Sequence, residues 1–234
     1  MIGAALSLLL APAAPSAVDA EHEFAAMAQT KGQWTAFRAF AAPEAVMFVP
    51  DAVVAPAWLA DRKDPPVPVM WWPGRSWVAC DGSLAVNTGP WVRSGGQSSG
   101  TFTTVWKRQP SGEWKWLLDG GNETPRPVAA GDEVRTDRPV CRNLAAAAGQ
   151  STSDAPRDDL QVQADDRMPE HSLPRFSVEE AAPIASGASA DASIRWEARG
   201  VKDAEPGAHL VRVWTWDGAR YRLAMLQLSG VKVE

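Results

Sequence analysis

Residues 101–119 read TFTTVWKRQPSGEWKWLLD, and apolar and polar positions alternate on both sides of a Pro-Ser-Gly turn. A period of two is the signature of half-buried strands. Phe102, Thr104 and Trp106 share one face, and Trp114, Trp116 and Leu118 share one on the returning strand. Residues 69–80 and 84–93 are further strand candidates, joined by Asp81-Gly82, a hairpin signal. Ser94-Gly95-Gly96 marks a longer connection. Pro73 and Pro90 predict edges or bulges, which let a sheet curl.

Residues 21–42 have helical spacing instead. Phe24, Met27 and Ala28 mark one apolar face, and Trp34, Phe37 and Phe40 or Ala41 continue it. Gly32 predicts a break and Pro43 an end. Residues 45–49 (AVMFV) form a short strand closed by Pro50. Residues 56–63 give one or two helical turns, stopped by Pro65, Pro66 and Pro68.

Beyond Gly120 large apolar residues thin out, and Ala, Pro, Gly, Ser and Asp dominate 144–159. Such a stretch buries too little area to offset ordering. Alternation returns at 193–199, and 209–216 and 219–228 flank Asp217-Gly218. The tail VWTWDGARYRLAML echoes VWKRQPSGEWKWLLD. We read the echo as common hairpin chemistry, with a second sheet domain as the alternative. The expected division is a leader at 1–20, a main domain at 21–124, a mobile linker at 125–192 and a C-terminal β extension at 193–234.

Apolar residues make up 45% of the 234, enough for a core, and the net charge of −5 comes without a dense Lys/Arg run. Neither a nucleic-acid footprint nor an anionic membrane patch is written in the chain. Residues 2–10 are an apolar run too short for a membrane span, followed by small residues and a small-x-Ala pattern at Val18-Asp19-Ala20. A secretory leader ending before Glu21 is expected, hence a periplasmic or secreted protein. The run lacks a preceding Lys or Arg, and a buried N-terminal helix is the alternative. Export would place Cys80 and Cys141 where disulfides persist. Their pairing would close a loop of about 60 residues, for up to ~4 kcal/mol, and the sequence leaves its geometry open. Two Cys without nearby His make no zinc site, and no cofactor motif occurs.

The helix pair, then APEAVMFVP, WLADRK, DGSLAVNTGPW and the Trp-rich hairpin, resemble the nuclear transport factor 2-like superfamily. The chain looks most like an exported bacterial branch of it, grouped with polyketide-cyclase-like and ketosteroid-isomerase-like domains. The resemblance covers residues 21–119. It implies an α+β fold, with helices packed in a strongly curved antiparallel sheet (a cystatin-like cone) and a C-terminal β-hairpin region added. It implies a pocket for a small apolar molecule, and in many relatives a homodimer through the open face of the sheet.

An isomerase-type site needs a carboxylate base and an oxyanion hole made of a Tyr and a neutral carboxylic acid. The single Tyr is Tyr221. A dehydratase-type site needs a His–Asp pair inside the cone. His22, His171 and His209 map onto none of the cone strands. Asp119 is the best ionisable candidate, since it ends an apolar strand. Asn87 is either a pocket group or solvent-facing, Arg75 an anion anchor or part of a bend. Trp58, Trp72 and Trp91 lie where a pocket mouth would be. The expectation is a non-catalytic exported protein binding a small apolar ligand or a protein partner. The alternative is an atypical isomerase or hydro-lyase.

Overall fold

The computed structural model describes residues 14–152, 180–202 and 206–230. The apolar run at 2–10, His171 and residues 153–179 of the expected linker lie outside the described residues.

Helices α1 (Ala17–Lys31) and α2 (Gln33–Phe40) are separated at Gly32, whose φ of 109° suits glycine. Ser16 and Asp19 start α1 as a capping box: the Asp19 N–H donates to Ser16 Oγ, and the Ser16 N–H donates to Asp19 Oδ2. The small-x-Ala pattern at 18–20 therefore lies in the first turn of a capped helix. Ala17, Ala20 and Glu21 are buried there, the last fully.

The helices lie on one face of an eight-stranded sheet. Its strands are β1 (Ala41–Phe48), β2 (Ala52–Val54), β3 (Met70–Trp71), β4 (Arg75–Val78), β5 (Leu84–Arg93), β6 (Ser98–Arg108), β7 (Trp114–Glu123) and β8 (Arg135–Asp137). The order is β2-β1-β7-β6-β5-β4-β8, with β3 added to β5, and α3 (Ala55–Leu59) follows β2. Pro73 splits the strand expected at 69–80 into β3 and β4. The sheet is antiparallel except at β1–β7 and β4–β8. Those parallel pairs join strands distant in sequence, as parallel pairing requires.

A register shift between Val105 and Trp106 makes Leu117 an extra residue on β7. The bulge corrects one expectation. Trp114 and Trp116 face the helices, but Leu118 faces the opposite side, and Asp119 is turned back beside Thr104. The helix side is packed with rings. Phe24 has its centroid 4.8 Å from those of Phe37 and Trp71, 5.3 Å from Phe40 and 5.9 Å from Trp106. Burying such a side chain is worth about 1.5–3 kcal/mol.

The tail is more than a hairpin. β9 (Glu180–Ala188), β10 (Ile194–Val201), β11 (His209–Trp216) and β12 (Tyr221–Ser229) form a second antiparallel sheet in the order β12-β11-β10-β9. Strand β9 was illegible because its residues are small. A short helix, α4 (Leu144–Gly149), packs on Trp214, Trp216 and Tyr221 at one end of this sheet.

The second sheet repeats β4–β7 pair by pair. Trp77 pairs with Val86 and Val86 with Val105; Gly187 pairs with Trp196 and Trp196 with Val213. Val105 pairs with Leu118 and Trp106 with Trp116 around the bulge; Val213 pairs with Met225 and Trp214 with Leu223 around a bulge in the same place. The turns match too. Gly82 N–H donates to the Ala79 carbonyl and Ala192 N–H to that of Ser189, with φ of 69° and 58° at Gly82 and Ala192. The echo read as hairpin chemistry is thus a repeat of a four-stranded meander. Only its last two strands kept a recognisable sequence pattern.

The two sheets pack face to face. Leu84, Val86, Val105 and Leu118 of the first meet Ile194, Trp196, Val213 and Met225 of the second, their register equivalents. The sheet face on which the family resemblance places a homodimer is covered by this chain's own second sheet.

Candidate functional site

The polar centre of the cone is Glu21, which the sequence reading passed over as the first residue of a mature chain. Its spacing from Ala17, Phe24 and Ala28 puts it on the buried stripe of α1. A carboxylate on that stripe was the signal, together with Trp indoles that need acceptors. Trp71 Nε1 donates to Glu21 Oε1 at 2.9 Å, and Trp106 Nε1 donates to Oε2 at 2.6 Å. Asn87 Nδ2 donates to Oε2 at 3.2 Å and to the Ala17 carbonyl at 2.9 Å. Asn87 is thus wholly buried.

Asp119 lies beside this group, half-buried, and accepts from Thr104 Oγ1 at 3.2 Å. Burial pushes the Glu21 carboxyl up to about 7, against the opposing pull of its indole and amide donors. Burial and then the charge of Glu21 raise Asp119 well above the usual carboxylate range. Asn87 and Asp119 are therefore brought together, and Glu21 joins them.

The aromatic candidates go elsewhere. Trp58 packs edge-on against Trp34 at 5.2 Å, with Arg62 over its ring at 3.9 Å. Trp72 is exposed. Trp91 lies over Gly100 and Gly121, where an added Cβ would come within 2.7 Å and 3.3 Å of the indole. Arg75 pairs with Asp137 at 2.6 Å and lies over Trp77. His209 is buried and stacked on Phe48 at 3.4 Å, with Nδ1 against the Gly207 carbonyl at 2.8 Å. Burial lowers its pKa. Cys80 and Cys141 form a disulfide, with Cα atoms 5.6 Å apart, tying the end of β4 to the segment that leads into α4.

A proton-transfer site needs a titratable group and room for a substrate beside it. Glu21 has the first. Its oxygens are held by the Trp71 and Trp106 indoles and the Asn87 amide, so those two indole N–H groups are spent on Glu21 itself, while the buried Trp116 indole on the same side has no partner among the described residues. Among the described residues no three ligating side chains gather as a metal site, and no helix is long and apolar enough to cross a membrane.

About half of the chain resembles solved structures, each at low identity. Solved structures with this likeness include a candidate ketosteroid isomerase from Parabacteroides distasonis (15% identity, 46% of this chain and 88% of that one, TM-score 0.39). The CaMKII hub of S. rosetta is another (19%, 49% and 100%, TM-score 0.36). A third is a candidate aromatic ring hydroxylase from Novosphingobium aromaticivorans (13%, 47% and 87%, TM-score 0.31). The likeness is one of fold. No protein-family model matches the sequence, and no curated protein matches it.

An open concavity lies outside the cone. A groove of about 830 Å³ runs along the seam between the sheets, lined among others by Val46, Lys107, Leu117, Ile184 and Trp196.

Proposed function

We propose that this chain is an exported, non-catalytic binding protein whose cone is a core and whose ligand-facing surface is the seam between its two sheets. The observation that carries the reading is the enclosure of Glu21: a fully buried carboxyl whose oxygens are held by two indoles and an amide. A base so held has no substrate to reach. Glu21 instead gives Trp71 and Trp106 the acceptors that buried indoles require.

Export rests on the apolar run at 2–10 and on the disulfide. Cleavage after Ala20 would remove the Ser16 cap and leave a new amino terminus beside buried Glu21. Ala11-Pro12-Ala13 offers another small-x-Ala pattern upstream of the cap.

The raised pair Glu21 and Asp119 is what favours a second reading, an atypical isomerase or hydro-lyase. One experiment separates the two. The 15N-labelled protein is mixed with a 3-oxo-Δ5-steroid, and the Trp71 and Trp106 indole resonances are followed with product formation. Unmoved resonances and no product are expected. Turnover that is lost in Asp119→Asn would establish the enzyme instead.

A further inference from the structure

The repeat supplies a template for the seam groove. Because β4–β7 and β9–β12 share one register and pack on each other by equivalent residues, the seam has two related ends. One end brings β4 against the β11–β12 turn. The other brings β9 against the β6–β7 turn, and this second end is the open groove.

The first end is filled by the chain itself. β8 adds in parallel to the edge of β4, with Arg75 opposite Arg135 and Trp77 opposite Asp137. The chain then runs on in extended form over the β11–β12 turn. Arg138 Nη1 donates to the Ala79 carbonyl at 3.3 Å, and the Val140 N–H donates to the Trp216 carbonyl at 2.8 Å. Trp216 Nε1 donates to the Arg142 carbonyl and Asn143 Nδ2 to that of Gly218, both at 2.9 Å. Cys141 is bonded to Cys80.

The register carries each of these partners to the open end. Ala79 corresponds to Ser189, Cys80 to Ala190, Trp216 to Arg108, Gly218 to Pro110, and β4 to β9. Of these, Ala190, Arg108, Pro110 and residues 184–188 of β9 line the groove. Among the described residues β9 is the edge strand of its sheet, and nothing described stands where β8 stands. Trp196, 4% exposed, lines the same groove, and its indole N–H has no partner among the described residues. The groove is also continuous with the sheet–sheet core, which shares Leu84 and Trp196 with it.

We propose that the open end of the seam is a docking site for an extended peptide segment of another polypeptide, added in parallel to β9 and running on over the β6–β7 turn. The proposal rests on the binding-protein reading above and names its site and partner. Strand addition supplies the main-chain hydrogen bonds. An apolar side chain takes the place that Val140 has at the filled end, and an acceptor meets the Trp196 indole. Where Cys80 fastens its occupant covalently, Ala190 leaves this one free to dissociate.

The correspondence of Cys80 with Ala190 gives a direct test. The full-length protein carrying Ala190→Cys is incubated in a thiol redox buffer with a synthetic peptide of residues 133–143, EVRTDRPVCRN. The expected result is a mixed disulfide forming at least about 10-fold faster than with a Val67→Cys control, because docking raises the effective concentration of the peptide thiol. Val67 is exposed and lies outside the groove. Adding Ile184→Arg, which narrows the groove, should abolish the difference. Equal rates at the two cysteines, or a rate untouched by Ile184→Arg, would overturn the proposal. Steroid turnover is read separately, so an inert protein that fails to trap the peptide loses only this site.

Discussion

Asp81 and Asp191 hold each other's turns. The Asp81 N–H donates to Asp191 Oδ2 at 2.8 Å, and the Asp191 N–H donates to Asp81 Oδ2 at 2.9 Å. Each residue occupies the same place in its own hairpin, between β4 and β5 or between β9 and β10. Such reciprocity is the mark of an isologous contact, in which residue i meets j and j meets i. Here both halves belong to one chain, and Ser83 Oγ adds to the joint by accepting the Ala190 N–H at 2.9 Å.

Asp81→Ala and Asp191→Ala should each destabilise the protein by about 1–3 kcal/mol, because each strips the acceptor from backbone donors in both turns. The double variant should cost less than the sum, since the two bonds share one joint. Urea unfolding of the four proteins measures the coupling. Strict additivity would mean that the turns do not support one another.

Glu21 sets a pH dependence with a definite sign. Its carboxyl lies near 4.5 unfolded and about 7 folded, so the folded state holds the proton more tightly. The stability from this group is complete below pH 4.5, falls as pH rises, and is lost above about 7. The shift corresponds to about 3 kcal/mol. Urea midpoints of the native protein should fall between pH 5 and 8, and Glu21→Gln should flatten that fall. An unchanged slope in the variant would place the titration elsewhere.

The Cys80–Cys141 bond spans 61 residues of sequence and fastens the segment that fills one end of the seam. Reduction, or Cys80→Ser with Cys141→Ser, should cost about 4 kcal/mol in the chain-entropy view. Thermal unfolding with and without reductant reads it. Coincident melting curves would show that residues 138–143 stay seated without the bond.

The first sheet was legible because its strands alternate and its turns carry Gly. The boundaries of β5 and β11 fell where the pattern put them, and Gly32 broke the helix as expected. The bulge at Leu117 was not legible, since a single inserted residue leaves the alternation looking intact while reversing the side beyond it. That is why Leu118 was placed with Trp116, although it packs against the second sheet. Glu21 was missed because an acid near an apolar run reads as a processing boundary. Only Trp71 and Trp106, 50 and 85 residues away, explain why it is buried. The second sheet was half visible, for Ile184, Ala185 and Gly187 carry no alternation that marks β9 as a strand.

The face of the first sheet is closed by the second sheet of the same chain. Light scattering on the protein from micromolar to millimolar concentration tests this closure. A face satisfied internally gives the mass of one chain throughout. A rise to the mass of two chains as concentration increases would contradict it, because that face would then be open to a second copy.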